Sequence, residues 1–342
     1  MDHPTIAVDL AKAVFEIAVS DRPGRVVERQ RLARRHFLAF FAQRPRTTVV
    51  MEACGSAHHW GRELEALGHR VVLLPPHAVR PYVVRDKTDR ADAKGLLEAH
   101  RNDASRPVPV KSLAQQTLAA LHRLRSAWLA ARTARINTVR GLLREFGIVI
   151  PQGAARVRPA VAALLADADS PVPAAIRPAL ADAVDEIRHL EQRIDGAERQ
   201  LHALGRQIVV VPRLRTIPGI GWLSATALVA FGGDVDRFPS ARHFASYLGL
   251  TPRERSSGRR RRLGAISKRG DVYVRMLLTH GARAVLWRAK THAPPDRLRT
   301  WALRVERLRG HNKAAIALAN KLARVVWAVW RHERTFQAAA VV

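Results

Sequence analysis

The 342-residue chain holds a single cysteine, Cys54, so no disulfide can close within it and no cysteine-based zinc module can be built. Its fifteen histidines include no HExxH pair, and His58 and His59, being adjacent, cannot share one helix face as metal ligands. No run of about 18 apolar residues occurs, which excludes a membrane-spanning helix. The charged opening MDHPTIAVDL lacks the apolar core of a signal peptide, so a soluble, intracellular protein is expected. Acidic residues are also few: 29 against 58 lysines and arginines, a formal net charge of +29. Only 8 of those 58 cations are lysines, and a GC-rich coding bias would account for part of the arginine excess. The imbalance is nevertheless self-repulsive, and a polyanion is the usual neutraliser; nucleic acid is the leading partner and an anionic membrane surface the second. At 47% hydrophobic and 25% charged, wholesale disorder is excluded, and the length suits about two domains.

What is present begins with three short strand patterns at 5–9, 14–19 and 25–32, the last two joined by the turn Asp21-Arg22-Pro23-Gly24. A helix is expected at 35–43, a buried strand at 47–51, a helix near 58–67 ending at Gly68, and a second buried strand at 69–74 stopped by Pro75-Pro76. Three antiparallel-type strands followed by helix, strand, helix, strand is the order of an RNase H-like α/β fold. From 113 to 205 the pattern turns helical. A helix over 113–146 is amphipathic through Leu118, Leu121, Leu124, Trp128 and Leu142, and Leu180, Val184, Ile187, Leu190, Ile194, Ala197, Leu201 and Leu204 form a heptad seam. Such a region serves either as a dimerising coiled coil or as an intramolecular helical arm. A third unit runs from about 213 to 335 and closes on a basic amphipathic helix, His311 to Trp330. The expected division is therefore 1–110, 111–206 and 207–335.

Four carboxylates occupy places where a sheet protein puts its site residues. Asp9 ends the first strand, Glu52 follows the strand at 47–51, and Asp89 and Asp92 lie one helical turn apart in Lys-Thr-Asp-Arg-Ala-Asp-Ala (87–93). Drawn together they repel, each close pair by about 4 kcal/mol at ~4 Å and an effective dielectric near 20. A hard divalent cation on oxygen ligands offsets this, and Mg²⁺ (or Mn²⁺) is the usual choice where phosphate is the substrate. The plainer alternative makes Asp9 a turn residue, Glu52 a solvated cap, and Asp89 and Asp92 a helix cap and first-turn acid.

A second constellation is Gly-Leu-Thr-Pro-Arg-Glu-Arg-Ser-Ser-Gly (249–258), continuing through Arg259, Arg260, Arg261 and Arg262 to Ser-Lys-Arg-Gly-Asp (267–271). Residues 251–275 carry nine lysines or arginines against two acids. Arg253, Arg255, Arg259 to Arg262, Lys268 and Arg269 supply forked or point donors for phosphate oxygens, and a serine among them could accept a phosphoryl group. The alternative is a flexible loop tip whose arginines only hold backbone phosphates. A third, Ile-Pro-Gly-Ile-Gly (217–221) before an apolar helix, resembles the helix-hairpin-helix turn, in which backbone N–H groups near Gly219 and Gly221 meet phosphate. It also reads as a tight turn before a core helix. Trp327 and Trp330, three apart on the last helix, suit a packed face better than base stacking.

Ile-Ala-Val-Asp-Leu-Ala-Lys (6–12), Met-Glu-Ala (51–53), the 87–93 block, the Ile-Pro-Gly-Ile-Gly turn and the run from Tyr247 to Asp271 occur in the order seen in one family. Across about 5–330 the chain resembles the DEDD transposases of insertion-sequence family one hundred and ten, related to the Piv-type DNA invertases. The resemblance implies a RuvC-like N-terminal domain, a coiled-coil linker and a mostly α C-terminal transposase domain with a catalytic serine. It implies a Mg²⁺-binding tetrad of Asp9, Glu52, Asp89 and Asp92. The serine falls on Ser257, which directly precedes the glycine, with Ser256 as the fallback. It further implies donor and target DNA as substrates, an element-encoded guide RNA, a nucleoid-associated prokaryotic protein, and homo-oligomers up to tetramers in which one subunit's carboxylates meet another's serine. Two rival readings remain: a metal-dependent, structure-selective nuclease in which water attacks, and a non-enzymatic basic nucleic-acid-binding protein.

Overall fold

Short, mostly apolar runs early in the chain, buried on both faces, build a sheet. In the computed structural model, β1 (Thr5–Leu10), β2 (Val14–Arg22) and β3 (Arg25–Ala33) are followed by α1 (Phe37–Ala42), β4 (Thr48–Glu52), α2 (Ala57–Ala66), β5 (Arg70–Leu74), the short α3 (Pro76–Val79) and α4 (Asp89–Arg101). The structure describes residues 4–22, 25–83, 89–291 and 296–338, and for Asp89 and Arg90 the backbone alone. Pro23, Gly24, Lys87 and Thr88, which belong to the expected turn and acidic block, lie outside the described residues.

The strand order is β3-β2-β1-β4-β5. β1 pairs antiparallel with β2 and parallel with β4, and β4 pairs parallel with β5. Because side chains alternate, each strand feeds two cores. Ile6, Val8, Phe15, Ile17, Val49 and Met51 pack with Phe37, Phe41 and Trp60 from α1 and α2. Ala7, Ala18, Val50 and Leu74 pack on the opposite face with Ala93, Leu96 and Leu97 of α4. Small residues in β1 and β2 let α4 lie close to the sheet there. Fully burying an aliphatic or aromatic side chain contributes about 1.5–3 kcal/mol, so these two layers hold the sheet together without a disulfide.

The chain divides into two compact units at Ala114/Gln115. The second comprises α5 (Leu113–Glu145, from Gln115 on), α6 (Val157–Ala166), α7 (Arg177–Gln207), α8 (Val210–Leu214), α9 (Trp222–Gly232), α10 (Ala241–Tyr247), a hairpin of β6 (Pro252–Glu254) and β7 (Leu263–Ile266), α11 (Val272–Thr291), α12 (Arg297–Arg309) and α13 (His311–Arg331). α5 and α7 run antiparallel, since Arg125 meets Glu198 at 2.7 Å and Arg135 meets Glu186. Of the heptad seam, Leu180, Ile187, Leu190, Ile194, Ala197 and Leu201 are buried within this one chain.

On α5 the buried face differs from the expected one. Leu118, Ala119, His122, Ile136, Val139 and Leu143 are inside, while Leu124 and Leu142 are 48% and 49% exposed. The apolar pattern of α5 is broken by arginines, so spacing alone did not fix which leucines face inward. α9 is apolar all round and is buried from Ser224 to Ala230, which makes it the central helix of the C-terminal core. Trp327 and Trp330 pack against that core, and the Trp327 indole N–H donates to the Phe238 carbonyl at 3.2 Å. Among the described residues no helix is long and apolar enough to cross a membrane.

Candidate active site

The strand register sets the first carboxylates at neighbouring strand ends. β1 and β4 are paired as far as Val8 opposite Met51, and Asp9 and Glu52 are the next residues along these parallel neighbours, where the pairing stops. Asp9 follows Ala7 and Glu52 follows Val50 by two residues, which puts both on the sheet face covered by α4. α4 begins at Asp89, and Asp92 is half-buried on its first turn beside the fully buried Ala93. The Asp89 side chain lies outside the described residues. Among the described residues no three acidic, histidine or cysteine side chains converge closely enough to hold a metal ion. The donor set is nonetheless all oxygen, the chemistry of a hard divalent cation rather than a zinc site.

One acid on this face was not anticipated. Glu16 pairs in register with Asp9 across β1 and β2, so the two share a face, and Glu16 is only 4% exposed. Arg31, opposite it on β3, reaches its carboxylate at 3.5 Å. No alternation in the sequence marks it, because β2 is buried on both faces from Phe15 to Ser20 and the pairing with Asp9 is set by the length of the β1–β2 turn.

The serine motif is a hairpin rather than a loose tip. β6 and β7 pair antiparallel, and an isolated bridge joins Ser257 to Arg260 through bonds of 3.3 and 3.1 Å. Between them Gly258 has φ 55°, a conformation that costs a glycine nothing at the first central position of a two-residue turn. The Ser256 hydroxyl donates to Glu254 Oε1 at 2.7 Å and accepts the Arg262 backbone N–H at 3.1 Å. Ser257 is exposed, and among the described residues its hydroxyl has no hydrogen-bond partner. Arg261 meets Glu254 at 3.4 Å and Arg253 donates to the Ser267 carbonyl at 3.2 Å. The guanidinium groups of Arg255, Arg259, Arg260 and Arg262 have no partner among the described residues, so they are available to phosphate. Hydrogen bonding from Ser256, with Arg261 nearby, lowers the Glu254 pKa.

The root of this hairpin explains the long motif around it. Gly249 has φ 71°, and a Cβ there would sit 2.8 Å from the Arg269 and Gly270 nitrogens. A Cβ on Gly270 would run into the Tyr247 carbonyl oxygen. The Lys268 N–H donates to the Gly249 carbonyl, and Lys268 itself is left-handed at φ 55°. The buried Arg275 donates to the Leu248 and Gly270 carbonyls at 3.3 and 2.9 Å, while Asp271 caps α11 by accepting the Val274 N–H. Lys268 and Arg269 are exposed on this clamp.

The two glycines of the Ile-Pro-Gly-Ile-Gly turn do different things. Gly219, at φ 82°, lies against α11, where its Cβ would be 2.6 Å from the Gly281 carbonyl oxygen. Gly221 caps α9 and has open space where a side chain would be. Beside it, the Arg215 guanidinium lies 3.9 Å from the Trp222 ring and the His202 ring 4.0 Å from it. Behind this turn His122 is buried: Tyr273 Oη is 3.0 Å from Nδ1 and Thr226 Oγ1 is 3.0 Å from Nε2. Burial, with Arg125 nearby, pushes the His122 pKa down to about 4.

Comparison with known proteins identifies the family of both units. A DEDD-type transposase profile of the IS110 group matches residues 6–148, which hold the sheet and α4, and points to divalent-metal dependence. The profile of the IS116/IS110/IS902 transposase family matches residues 211–296, which hold the turn and the serine hairpin. The chain is 44% identical to a probable family 20 transposase of Pseudomonas aeruginosa, over 98% of this chain and 99% of that protein. It is 35% identical to the transposase for insertion sequence element IS1111A of Coxiella burnetii, over 99% of this chain and 93% of the relative. The transposase for element IS1328 of Yersinia enterocolitica is 36% identical over 95% and 96% of the two chains. At such identity over nearly the whole length, the chain belongs to the IS110/IS116 family of insertion-sequence transposases, enzymes that cut and rejoin DNA.

Proposed function

We propose that this transposase cuts and rejoins strands through a phosphoserine intermediate made by Ser257. The observation that carries the reading is the untethered, exposed Ser257 hydroxyl beside Gly258, among guanidinium groups with no partner among the described residues. The Ser257 oxygen attacks phosphorus, the P–O bond to the leaving deoxyribose oxygen breaks, and a serine-linked strand and a free DNA hydroxyl result. The proton lost by Ser257 ends on the leaving oxygen. A hydroxyl of the partner strand then displaces Ser257, so the number of phosphodiester bonds is conserved and no nucleotide hydrolysis is needed. Arg255 and Arg259 to Arg262 bind the non-bridging oxygens and screen the charge that develops on them.

Asp9, Glu52, Asp89 and Asp92 are the proposed holders of Mg²⁺, or Mn²⁺ in its place. When bound, the ion supplies Lewis-acid activation of the phosphodiester and neutralises the carboxylates. The positions of Asp9 and Glu52 at neighbouring strand ends and the strand order β3-β2-β1-β4-β5 support an RNase H-like, RuvC-like reading of this unit. The exposed Gly221 end of α9 supports a backbone phosphate contact at the helix-hairpin-helix-like turn. The excess of 29 positive charges supports a large polyanionic load, which we assign to donor and target DNA together with an element-encoded guide RNA. In this reading the carboxylates of one subunit and the serine of another, within a homo-oligomer, act on one phosphodiester.

The test combines the full-length protein, Mg²⁺, RNA transcribed from the flanking element DNA, and a labelled, pre-nicked element-end duplex. A protease-sensitive label on the protein, lost in Ser257→Ala, is the expected result. Cleaved DNA with no adduct would replace it with water attack and leave the serine as a phosphate contact. Binding with steep salt dependence and no Mg²⁺-dependent chemistry would favour the purely architectural reading.

A further inference from the structure

We infer that Glu254 and Ser256 are positioning residues that lock the serine hairpin so that Ser257, and not Ser256, presents its hydroxyl. The inference rests on Ser257 being the nucleophile and assigns its neighbours a role that chemistry alone would not. A serine hydroxyl has one proton and two lone pairs. At Ser256 the proton is given to Glu254 Oε1 at 2.7 Å, and one lone pair receives the Arg262 N–H at 3.1 Å from the opposite strand. Ser256 is therefore a cross-strand tie. It replaces a ladder bond at the point where the hairpin passes from the β6–β7 pairing to the Ser257–Arg260 bridge.

Sidedness points the same way. Residues two apart on an extended strand share a side, as the Ser256–Glu254 bond requires, and Arg261 joins them there at 3.4 Å. Ser257 projects from the other side, with Arg255. A phosphate approaching Ser256 would meet the Glu254 carboxylate within hydrogen-bonding range of the attacking oxygen. One approaching Ser257 meets arginine. Glu254 thus keeps the substrate from the wrong serine and, through Ser256, holds the right one still. Its pKa is lowered by the Ser256 bond, which keeps it an acceptor at neutral pH.

The experiment measures label transfer to the full-length protein with the same RNA, Mg²⁺ and pre-nicked duplex, in Glu254→Ala, Glu254→Gln, Ser256→Ala and Ser257→Ala. Glu254→Ala and Ser256→Ala should slow transfer at saturating DNA by about 10- to 100-fold, the scale of a small misplacement of a reacting group. The half-saturating DNA concentration should stay within about 3-fold, because binding arginines are untouched. Glu254→Gln should recover to within about 3-fold of wild type with an unchanged pH profile, since its amide oxygen accepts the same bond. The linked residue should remain Ser257 in every active variant.

Amide hydrogen exchange over 252–263 tests the lock without chemistry. Exchange should quicken in Glu254→Ala and Ser256→Ala but not in Ser257→Ala. Unchanged exchange together with unchanged transfer overturns the lock. A Glu254→Gln variant as slow as Glu254→Ala, with a flattened pH profile, overturns it in favour of a general base. Linkage mapped to Ser256 instead overturns the nucleophile assignment and the lock together. Label transfer absent from wild type, with quickened exchange in the two lock variants, removes the nucleophile reading alone.

Discussion

Asp9 and Glu52 leave strands whose preceding residues, Val8 and Met51, are fully buried, whereas every residue from Pro252 to Ala265 is exposed. The acids inherit their positions from a sheet packed on both faces. The serine inherits its position from backbone contacts at the hairpin root and two hydrogen bonds near the tip. On the proposed mechanism, one region places groups that must stay fixed against a common charge. The other, on the same proposal, carries a group out to where a polymer can reach it. Such a tip can lose a side chain without losing the fold, whereas its root has no room for even a methyl group.

The sharpest way to break this contrast is at the tip itself. Ser257→Ala should abolish adduct formation, at least about 10³-fold on a labelled gel, with an unchanged melting temperature. Gly270→Ala should act oppositely. A methyl facing the Tyr247 carbonyl should cost about 3 kcal/mol in urea unfolding, and it would disable the hairpin by unseating its root. If Gly270→Ala folds with wild-type stability, the clamp is not what holds the tip.

How far the two regions could be read in the sequence follows the same contrast. The strand-end positions of Asp9 and Glu52 were legible because each acid follows a short apolar run bounded by a change of composition. Glu16 was not, because its place opposite Asp9 depends on the exact length of the β1–β2 turn. The helices were legible in extent, but the face of α5 was not, and Leu124 and Leu142 turned outward. The β6–β7 pairing left no alternating pattern at all, since both of its sides face solvent and arginine fills them. Only Gly258 signalled a turn, and the hydroxyl partners of Ser256 are set by tertiary register rather than by neighbours.

Three smaller effects sharpen the picture. His122, whose pKa falls from an ordinary 6.5 to about 4 on folding, stabilises the C-terminal unit fully above pH 6.5, and that stability is lost as pH falls toward 4. Lowering pH from 7.5 to 5 should remove about 2 kcal/mol by this route, and His122→Gln should lose that part of the slope in urea titrations at both pH values. At the sheet, 10 mM Mg²⁺ should raise stability by about 1.4 kcal/mol for an affinity on the order of 1 mM, and Asp9→Asn should abolish the rise in thermal melts. At the tip, Arg259→Ala should lower the slope of log binding constant against log salt by about 0.9 on duplex DNA. A slope change of zero would remove Arg259 from the phosphate contacts.

The antiparallel pair of α5 and α7 has a further consequence when regarded as a gauge. His122 is tied to Thr226 and Tyr273 at one end, and Leu143 is buried with Val157 and Val161 at the other. The 21 residue steps from His122 to Leu143 span about 32 Å at 1.5 Å per residue, close to the rise of nine base pairs. Arg125–Glu198 and Arg135–Glu186 mark the register between the two rods. Adding one helical turn to both would move whatever the Leu143 end touches by about 5.4 Å, while adding it to one would break every rung.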